Sequence, residues 1–205
     1  MRKKKNSKNW LIKRKNDPFF VQSKIQGYRS RSAFKLIEMN KKFKFLNKNT
    51  YMIDLGCSPG GWSQVAQKKI ITGKILAVDI ESMEKIDRVH FLKGDFTDSV
   101  ISHKICTYFN SKVDLLLSDM AINTTGNKNL DSYKTGELCI KAMNLAKKIL
   151  HQDGVFLSKL FMGSIFLEIH EKAKKTFEKV VKYKPLSSKK ESKEIYIYCK
   201  GVSKV

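Results

Sequence analysis

Apolar and polar positions alternate with two different periods along residues 50–200. Short apolar runs bounded by Gly, Asp or Ser are typical of buried strands, and they predict strands at 51–55, 74–79, 89–92, 113–118, 154–161, 178–184 and 194–200. Between most of these runs, apolar residues recur every three or four positions, which predicts helices at 30–42, 61–70, 98–110, 131–151 and 165–177.

Three helices carry the most specific predictions. The helix at 131–151 has one apolar stripe, and Asp153-Gly154 is expected to end it. Ser164 is expected to cap the helix at 165–177. The helix at 30–42 is expected to bury Ala33, Phe34, Leu36, Ile37 and Met39.

The order of strands and helices predicts an α/β fold. Alternation of this kind gives a mostly parallel sheet with helices on both faces. Residues 185–193 join the last two strands with no helix between them, so the last strand is expected to run antiparallel. Residues 1–27 are basic and poor in apolar periodicity. We therefore predict a basic N-terminal arm at 1–27 and one folded domain at 28–205.

The charge of the chain favours a polyanionic partner. Lys and Arg number 41 against 19 acidic residues, a net charge of +22, and nucleic acid is the first partner to expect. Most of the basic residues are lysines, so codon bias in an AT-rich genome also explains part of the excess. Arg29 and Arg31 stand close together, and bidentate phosphate binding would explain arginine at these two positions. We predict that they bind RNA.

Several classes of protein are excluded or disfavoured. No apolar run approaches the roughly 20 residues that a membrane span needs, and no secretory h-region follows the basic N-terminus. The cysteines form no C-x-x-C pair, which disfavours a zinc site. We expect a cytoplasmic protein with no metal site and no membrane contact.

The segment 52–64 joins a strand to a helix through a glycine-rich turn. Asp54 lies on the strand, and the turn contains Gly56, Pro59, Gly60 and Gly61. A strand, a glycine-rich turn and a helix in this order bring backbone amides against a nucleotide-like ligand. The spacing is G-x-x-x-G-G, whereas dinucleotide-binding enzymes usually have G-x-G-x-x-G. A nicotinamide dehydrogenase is therefore a remote alternative.

Acidic residues follow the next strands at corresponding positions. Asp79 lies about 23 residues past Gly56, where an acid can accept hydrogen bonds from two ribose hydroxyls. Asp95 and Phe96 could bind and stack on an adenine ring, and Asp119 ends the fourth strand. Carboxyl ends of parallel strands share one edge of the sheet, so these residues predict a nucleoside site.

The chain resembles the FtsJ/RrmJ ribose 2′-O-methyltransferases over nearly its whole length. The matching segments are Asp54-Leu-Gly-Cys-Ser-Pro-Gly-Gly-Trp-Ser-Gln64, Tyr28-Arg-Ser-Arg-Ser-Ala-Phe-Lys-Leu36, Val78-Asp79, Gly94-Asp95-Phe96, Ser118-Asp119-Met-Ala121, Lys159-Leu-Phe161 and Lys193-Glu-Ile-Tyr-Ile197. The resemblance implies a Rossmann-like class I methyltransferase with a seven-stranded sheet and S-adenosylmethionine as cofactor.

The resemblance also implies residue roles. The cofactor contacts would be Gly60, Trp62, Asp79, Asp95 and Asp119, with Gly56 and Pro59 shaping the loop. The catalytic tetrad would be Lys35, Asp119, Lys159 and Glu194. By the same resemblance the substrate is a uridine of large-subunit (23S) ribosomal RNA, in the assembled 50S subunit. We also expect the protein to be a monomer.

The residues give an independent reason for the tetrad. A ribose 2′-hydroxyl is a poor nucleophile that must be aligned and relieved of its proton during transfer. Lys159 interrupts an apolar strand, and a buried lysine requires a partner. We predict that Lys159 is the proton acceptor; whether it removes the proton or only orients the oxygen stays open.

Two departures from the family pattern and two rival functions remain. Ile122 stands where the family usually has proline, and Met162-Gly163-Ser164 replaces a more polar segment. The rivals are a transfer-RNA ribose 2′-O-methyltransferase of the same family and a catalytically idle rRNA-binding assembly factor.

Overall fold

A seven-stranded sheet with the order β3-β2-β1-β4-β5-β7-β6 forms the centre of the molecule. The structure is a computed structural model, and it describes residues 16–121 and 125–203. The strands are β1 Tyr51–Leu55, β2 Lys74–Asp79, β3 Val89–Lys93, β4 Val113–Ser118, β5 Leu150–Phe161, β6 Phe177–Tyr183 and β7 Glu194–Val202.

Helices cover both faces of this sheet. They are α1 Pro18–Ile25, α2 Ser32–Phe43, α3 Gly61–Lys69, α4 Ser99–Thr107, α5 Lys128–Ile149 and α6 Phe166–Thr176. Apolar side chains of α2 and α3 pack on one face, and those of α4, α5 and α6 pack on the other. Ile53 and Met52 on β1 point to opposite clusters, as neighbouring strand residues do. The predicted α/β fold is confirmed.

The strand order creates a cleft beside β1. The chain leaves β1 toward β2 on one side and later returns to β4 on the other, and ligands of doubly wound sheets bind at such a switch point. Strand β7 is antiparallel to both of its neighbours, as predicted. Its register with β5 places Tyr196 opposite Lys159.

Helix α1 lies within the segment predicted as a basic arm. The Asp17 carboxylate caps it by accepting hydrogen bonds from the backbone N–H groups of Phe19 and Phe20 at 3.0 and 3.3 Å. The Phe19 ring packs against Phe34 of α2 with the ring centroids 5.6 Å apart. Residues 1–15 of the arm lie outside the described residues, and the division into an arm and a domain stays a prediction.

Three local predictions are wrong. Helix α5 ends at Ile149 instead of at Asp153-Gly154, because Leu150 already pairs with Val113 in the sheet. Helix α6 begins at Phe166 after Ile165 and has no side-chain cap, so Ser164 is not its cap. Ile37 of α2 is 37% exposed.

Asp54 is a carboxylic acid in the interior of the sheet. It is fully buried on β1, and one of its oxygens accepts a 2.7 Å hydrogen bond from the Ser63 hydroxyl. Its other oxygen, Oδ1, has no hydrogen-bond partner in the described part of the chain. Burial raises the pKa of Asp54 to about 7, and the charges of Asp119 and Asp79 act in the same direction against the opposing Ser63 hydrogen bond.

This raised pKa predicts a pH-dependent stability. Between the ordinary pKa of 3.8 and about 7, the native state holds a proton on Asp54 that the unfolded chain has released. The contribution of Asp54 to the free energy of unfolding therefore falls as pH rises through this window, by at most about 1.4 kcal/mol per pH unit. Asp54→Asn abolishes this component. The stability of the variant relative to the wild type should increase from pH 5 to pH 7 and level off above pH 8 in urea unfolding. Parallel stability curves for the two proteins would contradict the assignment.

Candidate active site

A cavity of about 610 Å³ opens at the carboxyl ends of β1, β2 and β4. The predicted cofactor residues that line it are Gly56, Asp79, Asp95, Phe96 and Asp119, and Lys159 of β5 lines it as well. Pockets for small organic ligands have volumes of roughly 300–1,000 Å³. The cavity therefore has a suitable size and polar residues at the edge where the sequence predicts a nucleoside site.

The loop after β1 is held tightly against its neighbours. Gly56 has a φ of +74°, and a Cβ atom at this position would lie 2.6 Å from Cγ of Met120. Asp79 accepts hydrogen bonds from the backbone N–H groups of Ser58 at 2.8 Å and Glu81 at 2.9 Å. Its carboxylate thus joins the loop after β1 to the segment after β2, which fixes its position at the edge of the cavity.

Three of the predicted cofactor residues do not line this cavity: Pro59, Gly60 and Trp62. The Trp62 side chain is buried, its Nε1 donates a 2.9 Å hydrogen bond to the carbonyl of Ser32, and its ring lies 5.8 Å from that of Tyr196. The indole therefore joins α3 to α2 and β7. A cofactor contact by these three residues stays a prediction.

The four predicted tetrad residues form two ion pairs. Lys159 Nζ lies 2.9 Å from Asp119 Oδ1, and Lys35 Nζ lies 2.6 Å from Glu194 Oε1. The side chains are between 8% and 15% exposed. Lys159 lies on β5 and Glu194 on β7, Asp119 directly follows β4, and Lys35 lies on α2. The tertiary fold therefore assembles the group.

Two further polar residues contact these ion pairs. The Tyr196 hydroxyl donates a 2.8 Å hydrogen bond to Asp119 Oδ1, and the ring centroid lies 5.8 Å from Lys35 Nζ. The Ser188 hydroxyl donates a 2.8 Å hydrogen bond to Glu194 Oε1. Sequence reasoning missed both. Tyr196 follows Glu194 by two positions on the same face of β7, which was the available signal; Ser188 lies in a polar loop that gave none.

The charges around Asp119 keep it ionised. Burial opposes ionisation, but the charges of Lys159 and Lys35 and the hydrogen bonds from Lys159 and Tyr196 outweigh it and lower the pKa of Asp119. Burial and the charges of Asp119 and Glu194 raise the pKa of Tyr196 well above its ordinary value, so it stays a neutral donor. Lys159 Nζ also donates to the backbone carbonyl of Asp119. Two bonds therefore fix the position of the Lys159 amine.

The two arginines predicted to bind RNA use their guanidinium groups within the protein. Arg29 donates to the backbone carbonyls of Pro59, Glu84 and Lys85. Arg31 donates to the Asp17 carboxylate and to the carbonyl of Ser187. These bonds give a structural reason for arginine at both positions, and RNA contact by them stays a prediction.

One departure from the family pattern, the segment 162–164, lies at the edge of the site. Ile122 is outside the described residues. Met162 is 38% exposed, and its backbone N–H donates a 2.9 Å hydrogen bond to the carbonyl of Lys193, next to Glu194. The segment 162–164 thus borders the tetrad.

Within residues 16–121 and 125–203, no group of three His, Cys, Asp or Glu side chains is arranged to hold a metal ion. No helix there is both long and apolar enough to cross a bilayer.

Curated relatives match almost the whole chain. A ribosomal RNA large subunit methyltransferase E from Pelagibacter ubique is 48% identical over 200 residues, covering 98% of each chain. A protein of the same name from Rickettsia akari is 41% identical over 198 residues, covering 94% of this chain and 87% of its own.

Solved structures share the fold. A Plasmodium falciparum protein described as a ribosomal RNA methyltransferase matches with a TM-score of 0.76 and 31% identity, over 85% of this chain and 98% of its own. Human methyltransferase-like protein 13, solved with S-adenosylhomocysteine, matches with a TM-score of 0.56 and 15% identity over 82% of this chain and 78% of its own, which shows the fold alone.

The family model that matches residues 28–202 is described as FtsJ-like methyltransferase. It spans the glycine-rich loop, the cavity and all four tetrad positions. The chain therefore belongs to the FtsJ-like methyltransferase family.

Proposed function

We propose that this protein transfers a methyl group from S-adenosylmethionine to the ribose 2′-oxygen of a uridine in large-subunit (23S) ribosomal RNA, within the assembled 50S subunit. The observation that carries the proposal is the buried Lys159–Asp119 ion pair at the wall of the cofactor cavity. The names of the curated relatives support ribosomal RNA as the substrate class.

The residues that line the cavity fit S-adenosylmethionine. Asp79 would accept hydrogen bonds from the ribose hydroxyls, and Asp95 with Phe96 would hold the adenine. Gly56 lets the loop backbone pass close to Met120 and to the bound ligand. When bound, the cofactor supplies an electrophilic methyl group.

Lys159 is the group best placed to handle the hydroxyl proton. The Lys159 amine donates hydrogen bonds to the backbone carbonyl and to the carboxylate of Asp119. The Tyr196 hydroxyl donates to the same carboxylate and holds it in place. To accept the hydroxyl proton as the new carbon–oxygen bond forms, Lys159 would first have to release the proton that it holds in its ion pair with Asp119. The Lys35–Glu194 pair would orient the ribose. Fixed positions of these groups align the hydroxyl before transfer.

RNA binding would rest on the basic surface and on the N-terminal arm 1–27, which precedes the methyltransferase domain at 28–205. The net charge of +22 supports contact with phosphates. Arg29 and Arg31 would contribute less than the exposed lysines, because their guanidinium groups already bind protein acceptors. We propose that the protein acts as a monomer in the cytoplasm.

Labelled methyl transfer tests this function. Purified wild-type protein is expected to label isolated 50S subunits, and Lys159→Ala should reduce the rate by about 10²–10⁴-fold, as expected for loss of a general base. Lys175→Ala, which removes an exposed lysine from α6, is the matched control and should retain the wild-type rate at saturating concentrations of 50S subunits.

Other outcomes of this assay distinguish the proposed function from the two rival functions. Label on transfer RNA alone would overturn the ribosomal substrate. Tight binding to 50S subunits with no label on any RNA would indicate an assembly factor. An undiminished rate for Lys159→Ala would remove the role assigned to that lysine.

A further inference from the structure

We propose that Arg29 is a positioning residue for the cofactor site, which it shapes from outside the cavity. Its guanidinium donates from Nη1 to the carbonyls of Pro59 at 3.2 Å and Glu84 at 2.7 Å, and from Nη2 to that of Lys85 at 3.0 Å. Pro59 belongs to the loop after β1, and the other two acceptors belong to the segment after β2. One side chain therefore holds together the two segments that border the cofactor cavity.

The backbone of Arg29 is itself anchored on α3. Its N–H donates to the side-chain oxygen of Gln64 at 2.8 Å, and the Gln64 amide donates to the carbonyl of Gly27 at 3.0 Å. The guanidinium thus extends from a fixed point beside α3.

The hydrogen bonds from Arg29 to Pro59, Glu84 and Lys85 are called the clamp below, and close packing at Gly60 belongs to it. Gly60 has a φ of +112°, and a Cβ atom there would lie 2.9 Å from Arg29 Nη1 and 2.8 Å from Ile86 Cδ1. Any side chain at position 60 would push the guanidinium and the segment after β2 away from the loop. Glycine is therefore required for the clamp as well as for the backbone angle.

The use of arginine elsewhere in the chain supports this role. Only five of the 41 basic residues are arginines. Within residues 16–121 and 125–203, each of the three arginines donates to at least one backbone carbonyl. Arg88 donates to those of Gln67 and Ile70 at 2.9 Å each. A guanidinium presents donors on separate nitrogens in a rigid fork, which a lysine amine cannot reproduce. The need to bridge backbone carbonyls explains why these positions are arginine, and contact with an RNA phosphate is not required to explain it.

The clamp acts on the residues that would bind the cofactor. Asp79 joins the same two segments from inside the cavity, through the N–H groups of Ser58 and Glu81. Arg29 joins the two segments from outside the cavity. Its loss should therefore loosen the site, although the substitution removes none of the side chains that line the cavity. This inference rests on the cofactor site of the proposed function and is independent of the RNA target.

Calorimetric binding of S-adenosylhomocysteine tests the clamp. Arg29→Lys should raise the Kd about tenfold, since it loses one or two carbonyl hydrogen bonds. Amide hydrogen exchange should become faster at residues 57, 58 and 60 and at 82–87. Affinity for purified 50S subunits should stay at the wild-type value. Arg88→Lys is the matched control; it loses similar bonds at the far end of α3 and should leave the Kd unchanged.

Each result has a defined meaning. An unchanged Kd for folded Arg29→Lys, or weaker binding to 50S subunits with normal cofactor binding, would overturn the proposal. If Arg29→Lys does not fold, Gly60→Ala displaces the guanidinium instead, and it should raise the Kd and the exchange rates in the same way. A wild-type chain that does not bind S-adenosylhomocysteine would overturn the proposed function and the clamp together.

A separate set of contacts leads us to infer that Glu38 positions the tetrad. Its carboxylate accepts hydrogen bonds from the Tyr183 hydroxyl at 2.6 Å, the Leu186 N–H at 2.8 Å, and both the N–H and the hydroxyl of Ser187 at 3.1 Å. Glu38 lies on α2 one turn after Lys35. It therefore fixes the segment in which Ser188 binds Glu194 relative to the helix that carries Lys35.

Kinetics of methyl transfer to 50S subunits test this role, which also rests on the proposed function. Glu38→Gln should lower kcat about tenfold and leave the KM for S-adenosylmethionine unchanged, since an amide cannot accept all four bonds. Tyr183→Phe removes one of the four hydrogen bonds to Glu38 and leaves the three from Leu186 and Ser187. It should therefore keep kcat within about threefold of the wild type. Glu168→Gln, at an exposed glutamate of α6, is the control.

The inference about Glu38 fails if Glu38→Gln retains the wild-type kcat, or if kcat falls only together with a higher KM for the cofactor. Absence of transfer by the wild-type protein in the same assay would instead reject the proposed function.

Discussion

The buried ion pair between Lys159 and Asp119 is the constraint around which the site is built. A lysine on a central strand cannot stay charged in the interior without a partner. Asp119, directly after β4, supplies the carboxylate. Strand β7, antiparallel to β5, places Tyr196 opposite Lys159 and within hydrogen-bond distance of that carboxylate. Strand order and register therefore decide whether the charges are compensated, so the fold and the site depend on each other.

The cofactor cavity and the tetrad share two residues, and a different side chain supports each of them. Asp119 and Lys159 both line the cavity and belong to the tetrad, so in the proposed reaction the methyl donor would lie beside the group that takes the proton. Arg29 braces the cofactor side through backbone carbonyls. Glu38 braces the side that faces the substrate. Rigid support of this kind keeps reacting groups aligned without contacting the substrate.

Periodicity and resemblance predicted most of the fold and the tetrad, but not the contacts that depend on tertiary structure. The strand positions and the antiparallel β7 follow from local apolar patterns and loop length. The apolar periodicity does not predict helix α1, because its sequence signal is limited to one acidic cap residue and a proline at its start. Leu150 joined the sheet because strand pairing with Val113 outweighed the helical stripe. The acceptors of Arg29 lie 30 to 56 residues away, so no local pattern could reveal them.

Analysis of the methylated nucleoside tests the central claim most directly. Ribosomal RNA from 50S subunits, treated with the wild-type protein and labelled S-adenosylmethionine, would be digested to nucleosides. The nucleosides would be separated by liquid chromatography and identified by the masses of their sugar and base fragments. Transfer to a ribose hydroxyl aligned by the Lys159–Asp119 pair predicts that the label is recovered in 2′-O-methyluridine. Recovery of the label in a base-methylated nucleoside, with the ribose unmodified, would contradict the account.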